Sequence, residues 1–214
     1  MRIPANKVLE FKNAHKLSGK ASSFVDKMVE ANIPIDYWML TMSKFQGSDT
    51  IKDAVNAYIW DIKNNYNLGK GFTLAGSYGI GKTYGLCSIL KTALRLNYTA
   101  YYTSLPSLSS YGMSYDYKDE YFKMCTKSDF LVFDEADARH ISTSDEAKTL
   151  FGSLIERILR ERVQNSLPTF FGTNHDSISP LFVGQHARAI ESLLALKNTT
   201  INALGQDFRK RKPE

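Results

Sequence analysis

Apolar residues recur along the chain with two periods. A spacing near 3.6 residues places Phe24, Val25, Met28 and Val29 on one face of a helix over residues 22–31, which Pro34 closes just beyond Asn32. The same spacing joins Ile51, Ala54, Val55, Tyr58, Ile59, Ile62 and Tyr66 into one helix, ended by Asn67-Leu68-Gly69. A further helix runs to about Leu96. Another spans 145–164, with Ala147, Leu150, Phe151, Leu154, Ile155, Ile158 and Leu159 inward and Ser142, Thr143 and Ser144 as cap residues. Short apolar runs at 72–75, 99–103, 130–134, 169–173 and 200–204 read as strands, with helical segments between the first four. Strand and helix in alternation predict an α/β fold: a five-stranded parallel sheet flanked by helices. Residues 1–18 read equally as a short helix or a mobile arm. Residues 33–40 read as an extended connector whose aromatics pack onto the main domain and help enclose a bound base. Residues 1–45 are thus expected to be a short extension and linker, a candidate partner-binding element, and 46–214 the main domain.

Between the first strand and its helix lies Gly76-Ser77-Tyr78-Gly79-Ile80-Gly81-Lys82-Thr83, followed by Tyr84. Glycines at these positions let the backbone turn tightly and aim successive N–H groups at phosphate oxygens, and the helix N-terminus adds its positive dipole end. Lys82 is expected on the β- and γ-phosphates. Thr83 would ligand Mg²⁺, because a hard ion held by phosphates still takes an oxygen from the protein. The expected ligands are therefore ATP and Mg²⁺.

Phe130-Leu131-Val132-Phe133-Asp134-Glu135 is an apolar strand delivering two carboxylates at its C-terminal end, where ligands sit in open parallel sheets. Asp134 would complete the metal shell and Glu135 would polarise the attacking water, which makes hydrolysis the expected reaction. Asn174, ending Leu167 to Asn174, is placed to hydrogen-bond that water and the γ-phosphate. Phosphoryl transfer needs further positive charge, for which Arg157, Arg160, Arg162, Arg188 and Arg209 are the candidates, the last two favoured by lying downstream of Asn174. Tyr101, Tyr102, Tyr111, Tyr115, Tyr117 and Tyr121, interleaved with Lys118 and Lys123, suit base stacking and phosphate contact with single-stranded DNA.

Composition narrows the partners. The 214 residues, 43% hydrophobic, suffice for one core, and the net charge of +5 suits an acidic partner such as nucleic acid, although much of it lies in Arg209-Lys210-Arg211-Lys212. Cys87 and Cys125 read as reduced core thiols, which fits cytoplasm. No apolar run approaches the ~20 residues of a membrane span, so no membrane partner is expected.

Taken in order, Ala31-Asn32-Ile33-Pro34, Gly76 to Thr83, Phe130 to Glu135, Thr173-Asn174 and Gly205 to Arg209 resemble the helicase-loader branch of the AAA+ ATPases, the DnaC and DnaI type, with the transposon-encoded IstB ATPases as close relatives. The resemblance implies a P-loop ATPase core of five strands with a very small C-terminal lid. It also implies nucleotide-dependent self-association, ATP-modulated binding of single-stranded DNA, and delivery of a hexameric replicative helicase onto it. Carried onto this chain, Gly76 to Thr83 is the Walker A loop, Asp134 and Glu135 the Walker B pair, Asn174 the first sensor, Arg209 the terminal sensor arginine, and Arg188 the finger acting in trans. The chain departs from the pattern at Glu191-Ser192, where a second arginine is expected, and in having only about thirty residues where family loaders often carry a helicase-binding domain, as a phage- or plasmid-encoded version in a bacterial cytoplasm would. An IstB-like ATPase binding duplex DNA and a non-hydrolysing ATP-dependent adaptor are the alternatives.

Overall fold

The computed structural model describes residues 3–112, 114–137, 144–178, 181–205 and 207–208. Arg209, the basic run after it, and the cap candidates Ser142 and Thr143 lie outside them. Helices α1 (Ala5–Ala14) and α2 (Gly19–Glu30) lead through a 3-10 turn at Ile35–Tyr37 to α3 (Asp49–Trp60) and α4 (Ile62–Asn67). There follow β1 (Gly71–Gly76), α5 (Lys82–Arg95), β2 (Ala100–Ser104), α6 (Leu105–Tyr111), α7 (Lys118–Lys127), β3 (Phe130–Ala136), α8 (Asp145–Gln164), β4 (Thr169–Thr173), α9 (Gly184–Lys197) and β5 (Asn198–Ala203). The strands form one sheet in the order β2-β3-β4-β1-β5, every neighbouring pair parallel, as the alternating pattern predicts.

Period-2 alternation sorts the strand residues onto two faces. Phe130 and Val132 join Leu74 and Phe170 beneath α5, α3 and α2, whereas Leu131 and Phe133 join Phe171 beneath α6, α7, α8 and α9. The same alternation puts Asp134, two residues past Val132, on the α5 side. Parallel strands all end at one edge of the sheet, so the ends of β1, β3 and β4 meet where the sequence motifs predict a ligand.

Three elements differ from the sequence reading. The helix expected through residue 66 breaks at Asp61, whose carboxylate accepts from Asn64 Nδ2 at 2.9 Å, a local bond that competes with the helical ladder. The connector 33–40 is not extended: Trp38 Nε1 donates to Ile33 O at 2.7 Å and closes it into a turn. The segment before the fifth strand, not read as helical, forms α9, with only Ile190 and Leu193 buried. Ser144 caps α8, accepting from Ala147 N at 3.2 Å. Cys87 and Cys125 are buried free thiols, and burial pushes the Cys125 thiol up to about 12. No helix among the described residues is long and apolar enough to cross a membrane.

Arg162 falls on the inward side of α8 and is fully buried. It donates to the carbonyls of Cys125, Ser128, Asp129 and Pro168 and to Thr169 Oγ1, at 2.6–3.2 Å. Asp129 and Pro168 immediately precede β3 and β4, so this guanidinium ties strand starts together at the edge opposite the phosphate loop. It is a structural cation and not a donor to a phosphoryl group at this chain's site.

Candidate nucleotide site

The loop from Gly76 to Gly81 joins β1 to α5 and is held from both sides. Ser48 N donates to Ile80 O at 2.9 Å and Phe208 N donates to Gly79 O at 3.1 Å, while the Ile80 side chain is fully buried. Gly81 has φ of 97°, and a Cβ there would sit 2.6 Å from a ring carbon of Phe45, so both conformation and space require glycine. Lys82 Nζ donates to Gly76 O at 2.7 Å, Ser77 O at 2.8 Å and Asn174 Oδ1 at 2.8 Å. Phosphate oxygens would replace neutral carbonyls around that ammonium with charged acceptors.

Asp134 is 2% exposed. Its Oδ1 accepts from Glu135 N at 2.9 Å and its Oδ2 from the Tyr102 hydroxyl at 3.0 Å. It lies against β4 because residue 172 is glycine: a Cβ there would stand 2.1 Å from Asp134 Oδ1. Burial raises its pKa above the usual carboxylate value, and the neighbouring Thr83 hydroxyl, Glu135 N–H, Tyr102 hydroxyl and Lys82 ammonium pull it back. An oxygen-only pair of Thr83 and a buried carboxylate awaiting a compensating charge fits Mg²⁺. Glu135, next along, is exposed and has φ of 51° at an irregularity in the β3–β4 register between Phe133 and Ala136. A left-handed conformation in a non-glycine residue is held there by its surroundings, and such positions concentrate at functional sites.

These groups line a cleft of about 700 Å³, a volume typical of small-molecule sites. Tyr37, Leu40, Lys44, Gln46 and Tyr84 line it together with Lys82, Thr83, Asp134, Glu135 and Asn174, and the Tyr37 hydroxyl is hydrogen-bonded with Thr83. Lys91 of α5 is buried and donates to the carbonyls of Tyr37, at 2.6 Å, and Leu40. Burial lowers its pKa to about 8, with the nearby Cys87 thiol opposing that shift. Tyr37 and Leu40 of the connector therefore line the same cleft as the phosphate loop.

Of the sequence-derived candidates, Tyr78, Gly79, Gly81, Lys82, Thr83, Tyr84, Asp134, Glu135 and Asn174 converge here. Gly76 and Ser77 adjoin through their carbonyls to Lys82. The arginines do not converge: among the described residues none lines the cleft. Arg157 covers the Phe122 ring at 4.8 Å, Arg160 pairs with Glu156, and Arg188 is exposed on α9. The tyrosine-rich segment also divides. Tyr102 donates its hydroxyl to Asp134, Tyr121 is buried and stacks with Tyr111, and Tyr115 and Tyr117 are exposed. Asp137 was not anticipated, although Asp134-Glu135-Ala136-Asp137 offers a third carboxylate in the same run.

Asp134→Asn is expected to raise thermal stability while abolishing Mg²⁺-dependent nucleotide affinity. Because the folded-state pKa is raised, the wild type loses stability as pH rises from the ordinary carboxylate value of ~3.9 through the folded value. The variant's advantage is therefore larger near neutral pH than in acid. Each kcal/mol relieved corresponds to about 2–4 °C in a chain of this size. Thermal unfolding in chelator at both pH values checks this, and a variant melting below the wild type at neutral pH contradicts it.

No protein-family model matches the chain. In sequence it is similar to the replicative helicase loader DnaI of Bacillus subtilis (strain 168), 25% identical over 142 residues, which is 63% of this chain and 43% of that protein. The matched part is thus under half the length of that relative. In fold it is similar to a crystal structure of DnaI, with a TM-score of 0.66 and 21% identity over 81% of this chain and 93% of the other. It is also similar to the DnaC helicase loader, with a TM-score of 0.63 and 19% identity over 80% of this chain and 100% of the other. Strand order, phosphate loop and sequence match agree with the resemblance carried by the motifs: the chain is similar to DnaI in sequence and shares the fold of the DnaI and DnaC structures.

Proposed function

We propose that this chain is a Mg²⁺-dependent ATPase that binds single-stranded DNA and loads a hexameric replicative helicase, coupling ATP binding and hydrolysis to assembly and release. The observation that carries the ATPase reading is that an exposed Glu135, one residue past a buried Asp134, lines the same cleft as Lys82. The sequence match to a helicase loader supports the role in loading.

In this reading the loop N–H groups and Lys82 bind the β- and γ-phosphates. Thr83 and Asp134 hold Mg²⁺, which neutralises charge on the transferred group. Glu135 takes the proton from the attacking water, and Asn174 orients that water. Tyr37, Leu40 and Gln46 enclose the base. With no arginine of the described residues at the cleft, transition-state charge is supplied by Arg188 of a second copy and by Arg209, which makes assembly a condition of turnover.

The test is steady-state ATP hydrolysis with and without single-stranded DNA, alongside mass measurement in ATP and in ADP. ATP-specific assembly, stimulation by single-stranded DNA, and an Arg188→Ala protein that assembles without turnover are expected. Preference for duplex DNA without helicase favours a transposition ATPase instead. Absence of turnover with DNA and helicase both present favours a non-hydrolysing adaptor.

A further inference from the structure

Asn174 sits between two groups of opposite hydrogen-bonding character. Lys82 Nζ, which can only donate, contacts Asn174 Oδ1 at 2.8 Å, and the Asp137 carboxylate, which only accepts when ionised, takes Asn174 Nδ2 at 2.9 Å. Reversing the amide would set N–H against ammonium and oxygen against carboxylate, losing both bonds at once. Asp137 is 3% exposed, and its Oδ2 also accepts from the hydroxyl of Tyr78 in the phosphate loop at 2.9 Å. One carboxylate oxygen thus joins the ends of β3 and β4 to that loop. Its flanks are braced, since Thr173 Oγ1 donates to Ala136 O at 2.6 Å and accepts from His175 N at 3.1 Å. His175 Nε2 stands 3.7 Å from Asp137 Oδ1.

We propose that Asp137 is a positioning residue that fixes the Asn174 side-chain amide with its oxygen toward the reacting end of the cleft, so that Asn174 meets the attacking water as an acceptor. The proposal rests on the hydrolytic reading above and deepens it. The Asn174 oxygen carries two lone pairs, of which Lys82 uses one. With one amide N–H held by Asp137, the oxygen is kept on the Lys82 side of the cleft, and the acceptor it presents there complements a nucleophile whose lone pair must be left for phosphorus. Asp137 acts through Asn174 and touches no reacting atom.

The experiment compares wild type, Asp137→Asn and Asp137→Ala. An amide at 137 can both donate and accept, so it permits either orientation of Asn174, and alanine holds neither. Supporting groups one step removed from the chemistry are typically worth about 10–100-fold. kcat for ATP hydrolysis should therefore fall by that factor, with KM for ATP within about threefold of wild type. The second readout needs no turnover. In ¹⁵N spectra of the full chain without nucleotide, the Asn174 side-chain NH₂ pair, identified by its absence in Asn174→Ala, should exchange slowly in wild type and rapidly in both Asp137 variants. Unchanged NH₂ protection in the variants overturns the proposal, as does a joint rise in KM and fall in kcat with protection retained. If wild type hydrolyses no ATP, the hydrolytic reading fails on its own, and the NH₂ protection still decides whether Asp137 sets the amide.

Discussion

Glu135→Gln is expected to lower ATP turnover by about 10²–10⁴-fold, the usual contribution of a positioned general base, while leaving ATP bound. Glutamine has the same shape and still hydrogen-bonds water, but it cannot accept the proton. Glu135 is suited to that exchange because its backbone, with φ of 51° at the end of β3, is set by the bulge and by the bond from its N–H to Asp134 Oδ1, neither of which involves its own side chain. Binding and assembly should therefore survive, and the variant should accumulate in its ATP-bound form. Single-turnover hydrolysis measured beside equilibrium ATP binding checks this. Turnover within about threefold of wild type would overturn Glu135 as the base.

Arg162→Leu is expected to produce the largest loss of stability, about 3–5 kcal/mol, because several buried acceptors lose their donor at once, each worth about 1–3 kcal/mol before relaxation. The variant keeps the volume of the α8 position but leaves the carbonyls of Cys125, Ser128, Asp129 and Pro168 without that donor. Relief from burying the charge offsets part of the cost, since burial already pulls the guanidinium down to about 9. At about 2–4 °C per kcal/mol the melting temperature should fall by roughly 6–20 °C. Thermal unfolding without nucleotide measures it, and a fall below about 3 °C would mean that the strand starts are held by other contacts.

The sheet and most of the cleft were legible because their signals are local. Gly76 to Thr83 requires glycine for its dihedrals, and the apolar strands ending at Asp134 and Thr173 announce themselves by composition. What escaped depends on residues distant in sequence. Helical periodicity reads Arg162 as one of several charged positions on a helix, whereas its role comes from four carbonyls at chain segments that only the folded sheet brings together. Tyr102 reads as part of an aromatic, lysine-rich segment, yet strand alternation and the pairing of β2 with β3 turn its hydroxyl toward Asp134. The break at Asp61 turns on a single side-chain bond that an apolar face does not encode. Gly172 is the reverse case: a glycine in a strand invites a search for close approach, but only the register of β4 against β3 identifies Asp134 as what approaches.

The buried ammonium of Lys91 has a consequence for how the first forty residues communicate with the site. It clamps the carbonyls of Tyr37 and Leu40 to the helix that begins at the phosphate loop, while Trp38 Nε1 ties the same turn back to Ile33, just past the end of α2. The connector that lines the cleft is therefore tied both to the phosphate-loop helix and to the end of α2. A molecule that shifted the N-terminal helices would pull on the cleft lining through these bonds, and if that changed nucleotide affinity, thermodynamic reciprocity would make nucleotide change that molecule's affinity by the same factor.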